Sequence, residues 1–178
     1  YCDFNSHVRN AVDHDLWRRS LLAELDRYAD ETAGRRVSSI FFGGGTPSLM
    51  EPGQIEAVLE RAGQLFGFEP GVEIGLEANP AEQARFAGLK AAGIERLSLG
   101  VQALDDTALA RLGRDHTAAD GLAALEAAQG LFKRVSIDLI YAREGQSLAD
   151  WESELADVLS RGLDHLSLYQ LTIEPETP

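Results

Sequence analysis

One cysteine, Cys2, in 178 residues excludes an internal disulfide framework. No apolar run approaches the length needed to span a bilayer. No basic, apolar, small-residue leader precedes the first helix, so a cytoplasmic location is expected. Basic residues are in deficit, 16 Lys and Arg against 29 Asp and Glu, for a net charge of -13. That balance disfavours a nucleic-acid backbone or an anionic membrane as the main partner. The four histidines, His7, His14, His116 and His165, have no metal-ligand spacing. His14 and His165 read as structural, whereas His7 and His116 lie in polar loops that could border a site. Linkers and low-complexity tracts are missing, so residues 1–178 read as one domain. The chain opens on Tyr1 and stops at Thr177-Pro178 just after an apolar run, and it reads as the middle of a longer protein.

What is present is a repeat of strand and helix. Leu16, Trp17, Leu21, Leu22, Leu25 and Tyr28 put apolar groups on one face of a first helix. The β-branched and aromatic run 37–42 predicts a buried strand that stops at Gly43-Gly44-Gly45. Pro52 suits the first turn of a second helix. Residues 72–77 alternate as a strand, and Asn79-Pro80 predicts a helix start ended by Gly93. Strands are expected at 94–99, 135–140 and 166–173. Between them, helices are expected over about 105–112, from a Thr117 cap to Gln129 with Gly130 as stop, and from a Ser147 cap to about Gly162. Helices between every pair of strands predict a parallel α/β sheet with right-handed crossovers. Polar residues recurring at one strand end favour a (βα) barrel or partial barrel over an open sheet.

In such an array the ligand site lies at the carboxyl ends of the strands. Read in order, those ends carry Gly43, Gly44, Gly45 and Thr46; Glu77 and Asn79; Gln102; Asp138 and Tyr141; Gln170 and Thr172. The suggested chemistry is binding. Carboxylates accept from an ammonium or from ribose hydroxyls, and Gln102 offers both a donor and an acceptor. Arg114, between two helices, could clamp a carboxylate. No lysine stands in 43–48, which argues against a phosphate-binding loop.

Several stretches are recognisable. Tyr1-Cys2-Asp3-Phe4-Asn5-Ser6-His7 looks like the end of the radical S-adenosylmethionine cluster motif C-x-x-x-C-x-Y-C. Phe41 to Ser48 looks like the glycine motif of the same superfamily. Leu76 to Pro80, Arg96 to Gln102, Ile137 to Tyr141 and His165 to Pro175 are similar to further blocks, all in family order. Together they resemble the oxygen-independent coproporphyrinogen III oxidase-like family, in its haem-chaperone branch.

The resemblance implies a partial TIM-type barrel, here without its first strand, and a [4Fe–4S] cluster held by three thiolates. S-adenosylmethionine chelates the remaining iron. By that resemblance Cys2 is a cluster ligand, with the other two cysteines upstream, and Tyr1 packs near the adenine. Gly44, Gly45 and Thr46 line the amino-acid part of the cofactor. Glu77, Gln102, Arg114 and Asp138 complete the site, and Thr172 makes a late backbone contact. The implied partners are haem or a porphyrinogen and a haem-acceptor protein, with membrane contact only through that acceptor. Two departures matter. Phe4 stands where the oxidases carry a further cysteine, which weakens the oxidative decarboxylation reading. Residues 141–146, Tyr-Ala-Arg-Glu-Gly-Gln, replace a Gly-Leu-Pro turn found in many relatives.

Overall fold

Alternation of apolar and polar residues along each strand decides what the two faces of the sheet do. In a computed structural model that describes residues 12–172, five strands form one sheet: β1 (Val37–Phe42), β2 (Phe68–Ala78), β3 (Arg96–Gln102), β4 (Arg134–Tyr141) and β5 (His165–Gln170). They lie in the order β1-β2-β3-β4-β5, and every neighbouring pair is parallel. The sheet curls into a half barrel, as the strand–helix repeat predicts.

One parity of each strand faces the helices. Ile74, Leu76 and Ala78, then Leu97, Leu99 and Val101, then Val135, Ile137 and Leu139 join one buried core. The helices covering it are α2 (Pro52–Phe66), α3 (Phe86–Ala91), α5 (Ala118–Leu131) and α6 (Leu148–Leu159), which contribute Ile55, Phe86, Leu125 and Val158. The short α4 (Asp106–Arg111) follows β3. The other parity is polar. It carries Glu73, Glu77, Arg96, Ser98, Ser136 and Asp138 on the concave face, where Glu73 pairs with both Arg96 (3.1 Å) and Arg134 (2.7 Å).

Local signals explain the helix starts. Thr117 with Asp120, and Ser147 with Asp150, form capping boxes at α5 and α6, each supplying acceptors to amides that the first turn leaves unpaired. Gln54 and Glu51 do the same at α2. The first helix, α1 (His14–Tyr28), packs on α2 and is tied to it by Gln54, whose Nε2 donates to the His14 carbonyl at 2.8 Å.

On α1 no apolar residue is fully buried; Leu21, Leu22 and Leu25 are half-buried, and Leu16 and Trp17 are exposed. Three expectations need correction. Gly130 does not stop α5. It lies inside the helix, which ends at Leu131, because Gly130 keeps an ordinary helical backbone rather than a positive φ. Asn79 makes no side-chain cap, and Pro80–Arg85 is a 3-10 helix; the Asn79 amide is taken by Arg114 instead, at 2.5 Å. The last strand closes at Gln170, leaving Thr172 beyond it. Among the described residues, no helix is long and apolar enough to cross a membrane.

Candidate functional site

The glycine loop leaves β1 at the carboxyl rim. Gly44 has φ +109, a conformation that a side chain resists. A Cβ built on Gly44 or on Gly45 would meet no atom within 4 Å, so the peptide surface there is open. The loop is anchored from β2: the Gly44 N–H donates to the Glu77 carboxylate at 3.2 Å. Thr46 then leads into a 3-10 turn at Pro47–Leu49.

That turn is held by a residue the sequence did not announce. Arg85 donates from Nε to the Ser48 carbonyl (2.8 Å) and from Nη2 to the Met50 carbonyl (3.0 Å), and it pairs with Glu51 at 3.1 Å. No local spacing links an arginine at 85 with a turn at 47–49, so only the folded chain reveals it.

Glu77 and Asp138 lie on the same concave face. Glu77 is level with Ser98, and Ser98 with Ser136. The Ser98 hydroxyl donates to Asp138 at 3.0 Å and sits 3.0 Å from the Ser136 hydroxyl. Burial pushes the Asp138 carboxyl up, against hydrogen bonds from Ser167 and Ser98 that pull it down. Burial also raises Glu77; the Gly44 N–H opposes this, and the nearby Asp138 charge adds to it.

A carboxyl raised in the folded state binds more protons there than in the unfolded chain. The stability contributed by these two groups is therefore complete below the ordinary values, 3.8 for Asp138 and 4.5 for Glu77. It is lost as pH rises through the raised values. Glu77→Gln and Asp138→Asn should each flatten that decline relative to the parent. Urea titrations from about pH 4 to about pH 8 measure it, and parallel curves for parent and variants would refute it.

Gln102 and Arg114 meet at Gly100. Gln102 has φ +70, and β3 carries one more residue than β4 between the register pairs Leu99↔Ile137 and Gln102↔Leu139. Such a bulge re-aims a side chain. Here the Gln102 Nε2 lies 2.9 Å from where a Gly100 Cβ would stand, and the Asn79 Oδ1 is 3.6 Å from the same point. A side chain at position 100 would push the Gln102 amide aside. Arg114 Nη2 donates to the Asn79 Oδ1 and lies 3.4 Å from the Gly100 carbonyl.

The expected site residues thus separate into groups. Gly44, Gly45, Glu77, Gln102, Arg114 and Asp138 share the rim and the concave face beneath it, with Thr46 at the loop's exit. Thr172 is exposed, and its hydroxyl donates to the Gln170 carbonyl at 3.5 Å. Tyr1, Cys2 and His7 lie outside the described residues. His116 is buried, with Nε2 3.1 Å from the Val101 carbonyl, and it ties the α5 entrance to β3. His14 is structural, its Nδ1 3.0 Å from Gln54 Oε1.

The 141–146 turn also has a physical account. Ala142 follows β4 with φ +58, a left-handed backbone that costs a non-glycine residue ~1–2 kcal/mol. Ala142→Gly should therefore stabilise the chain by about 0.5–1 kcal/mol, net of the extra freedom glycine gains when unfolded. Denaturant midpoints at unchanged slope would measure this, and a loss of stability would contradict it. A cavity of about 830 Å³ lies beside this turn, between α4 and α6, away from the glycine loop.

The chain is similar to known proteins in sequence and in fold. The Radical SAM superfamily description matches residues 1–158. The bovine protein "Radical S-adenosyl methionine domain-containing protein 1, mitochondrial" is 45% identical over 99% of this chain and 41% of its own length. "Heme chaperone HemW" of Haemophilus influenzae is 40% identical, and that of Escherichia coli K12 39% identical, each over 99% of this chain and 48% of its own. The chain spans less than half the length of these curated relatives. Among solved structures, the coproporphyrinogen III oxidase HemN from Escherichia coli, a radical SAM enzyme, superposes with a TM-score of 0.84 at 29% identity. It covers 98% of this chain and 41% of its own.

Proposed function

The chain belongs to the Radical SAM superfamily, and on that premise we propose that it is the S-adenosylmethionine-binding core domain of a haem chaperone, which holds haem and hands it to an acceptor protein. The observation that carries the proposal is the rim. Open glycine backbone at 44–45 stands beside Glu77, Gln102, Arg114 and Asp138, delivered by the next three strands and the loop after α4.

The donor set fits a zwitterionic amino acid joined to a nucleoside. Glu77 would accept from the ammonium group, Arg114 would pair with the carboxylate, Asp138 would accept from ribose hydroxyls, and Gln102 could both donate and accept. Gly44 and Gly45 let the ligand lie against peptide groups. The iron–sulfur cluster is a separate matter. Among the described residues no three His, Cys, Asp or Glu side chains stand together as a metal site, so these residues do not hold it. Cys2 would supply one thiolate. Cluster and S-adenosylmethionine supply the redox chemistry of the superfamily when bound; this chain's own residues bind and orient the organic cofactor.

Two observations favour a chaperone over a decarboxylating enzyme. The HemW relatives are 39–40% identical and HemN 29%. By the sequence resemblance, Phe4 stands where the oxidases carry a further cysteine. The test uses the complete protein with its cluster rebuilt anaerobically, supplied with S-adenosylmethionine, a reductant and coproporphyrinogen III. We expect no decarboxylated product by mass, and haem transfer to an acceptor; catalytic product would establish the enzyme instead.

Glu77 tests the cofactor site itself. Glu77→Ala in the complete protein should weaken S-adenosylmethionine binding by ~1–3 kcal/mol and leave the fold intact. Calorimetric affinity equal to the parent's would remove Glu77 from the site.

A further inference from the structure

Two non-glycine residues among those described have left-handed backbones, Gln102 and Ala142, and they sit at the ends of neighbouring strands. Arg143 spans both. Its Nη1 donates to the Ile140 carbonyl at 2.9 Å and lies 3.4 Å from the Gln102 carbonyl. Its two terminal nitrogens bond the two oxygens of Glu154 at 3.2 and 2.8 Å. Glu154, on α6, accepts in turn from the Leu104 N–H at 2.6 Å and the Gln146 amide at 3.3 Å. The pair is nearly out of water, with side-chain exposures of 10% for Arg143 and 7% for Glu154.

A buried pair of this kind is weak evidence of net stability, so its role must be sought in geometry. The backbone groups it binds bracket Ala103, the residue directly after Gln102. Arg143 takes the Gln102 carbonyl, and Glu154 takes the amide two residues later. Gln102 also closes the stretch after Leu99 in which β3 gains one residue over β4; the Ala103 N–H donates to the Val101 carbonyl across it at 2.9 Å, and the Gln102 side-chain amide is turned over Gly100.

We propose that Arg143 and Glu154 are positioning residues: together they clamp the backbone where it leaves Gln102, at the Gln102 carbonyl and the Leu104 N–H, keep the left-handed turn at Gln102 in place, and so aim its side-chain amide at the bound S-adenosylmethionine. This rests on the reading that Gln102 contacts that cofactor.

The experiment is a mutant cycle in the complete protein with its cluster rebuilt, reading S-adenosylmethionine affinity by calorimetry and folding by thermal unfolding. Glu154→Gln should raise the dissociation constant by about 10-fold, as expected for a residue that orients a ligand-contacting group. In a Gln102→Ala background the same change should have no further effect, because the group being aimed is gone. A merely structural role would lower affinity equally in both backgrounds, and that result overturns the proposal, as does an unaltered affinity for Glu154→Gln when Gln102→Ala is weakened. If Gln102→Ala binds like the parent, the cofactor reading of Gln102 falls and the proposal falls with it. Should Glu154→Gln not fold, the double variant Arg143→Met/Glu154→Leu removes the clamp without an unpaired charge. It should show the same loss, and parent-like affinity in it would overturn the proposal.

Discussion

Arg143→Met is expected to cost about 3–5 kcal/mol of folding stability, because it strands the Glu154 carboxylate in a site almost without water. The carboxylate would keep the Leu104 and Gln146 donors but lose the only cation that the described contacts place against it. Adding Glu154→Leu should restore most of that loss, since two apolar groups of similar volume fill the space without a desolvation cost. About 1–2 kcal/mol should remain missing, because the Leu104 N–H and the strand-end carbonyls lose their partners. Urea unfolding of the two variants measures both steps. A double variant less stable than Arg143→Met would show that the pair contributes far more than its geometry.

Phe86→Ala should cost a similar ~3–5 kcal/mol for an unrelated reason. Phe86 opens α3, is fully buried, and meets Phe132 edge-on, the ring centroids 6.1 Å apart. Truncation leaves a cavity at the centre of the helix-facing core, where α3, α5 and the sheet meet. The expected result has a second part: Phe86 sits behind the sheet and the site lies in front of it. In the complete protein, S-adenosylmethionine affinity at a temperature where the variant is folded should stay within about twofold of the parent. A large affinity loss would mean that the two faces are mechanically coupled.

The division of labour between the faces follows from strand parity. Side chains alternate, so one set of residues could be given to packing and the other to polar contacts without conflict. Leu97, Leu99 and Val101 bury completely while Ser98, Gly100 and Gln102, one step away on the same strand, line the concave side. The cost appears as the raised carboxyls of Glu77 and Asp138. Groups held partly desolvated are costly to the fold and useful to a ligand that neutralises them.

Much of this was legible in the chain alone. Strand periodicity, helix caps at Thr117 and Ser147, and helices between all strands specify a parallel α/β sheet, because those signals depend on neighbours close in sequence. Parallel topology then places strand ends at one rim, which is why Gly44, Glu77, Gln102 and Asp138 could be picked as a group before any coordinates. The family followed from motifs in order along the chain. What the sequence could not reveal were relations between residues far apart in number and close in space. Asn79 looks like a helix cap, yet its amide serves Arg114, 35 positions away. His116 looks like a loop residue at a site, yet it is a buried strut on Val101. Arg85 under the glycine turn and Arg143 against Glu154 carry no periodic signal at all. The bulge that turns Gln102 over Gly100 exists only in the register of β3 against β4. Local propensity determined which elements form; the aim of each side chain at the rim was decided by how those elements pack, since a hydrogen bond between distant residues has no counterpart in the spacing of the chain.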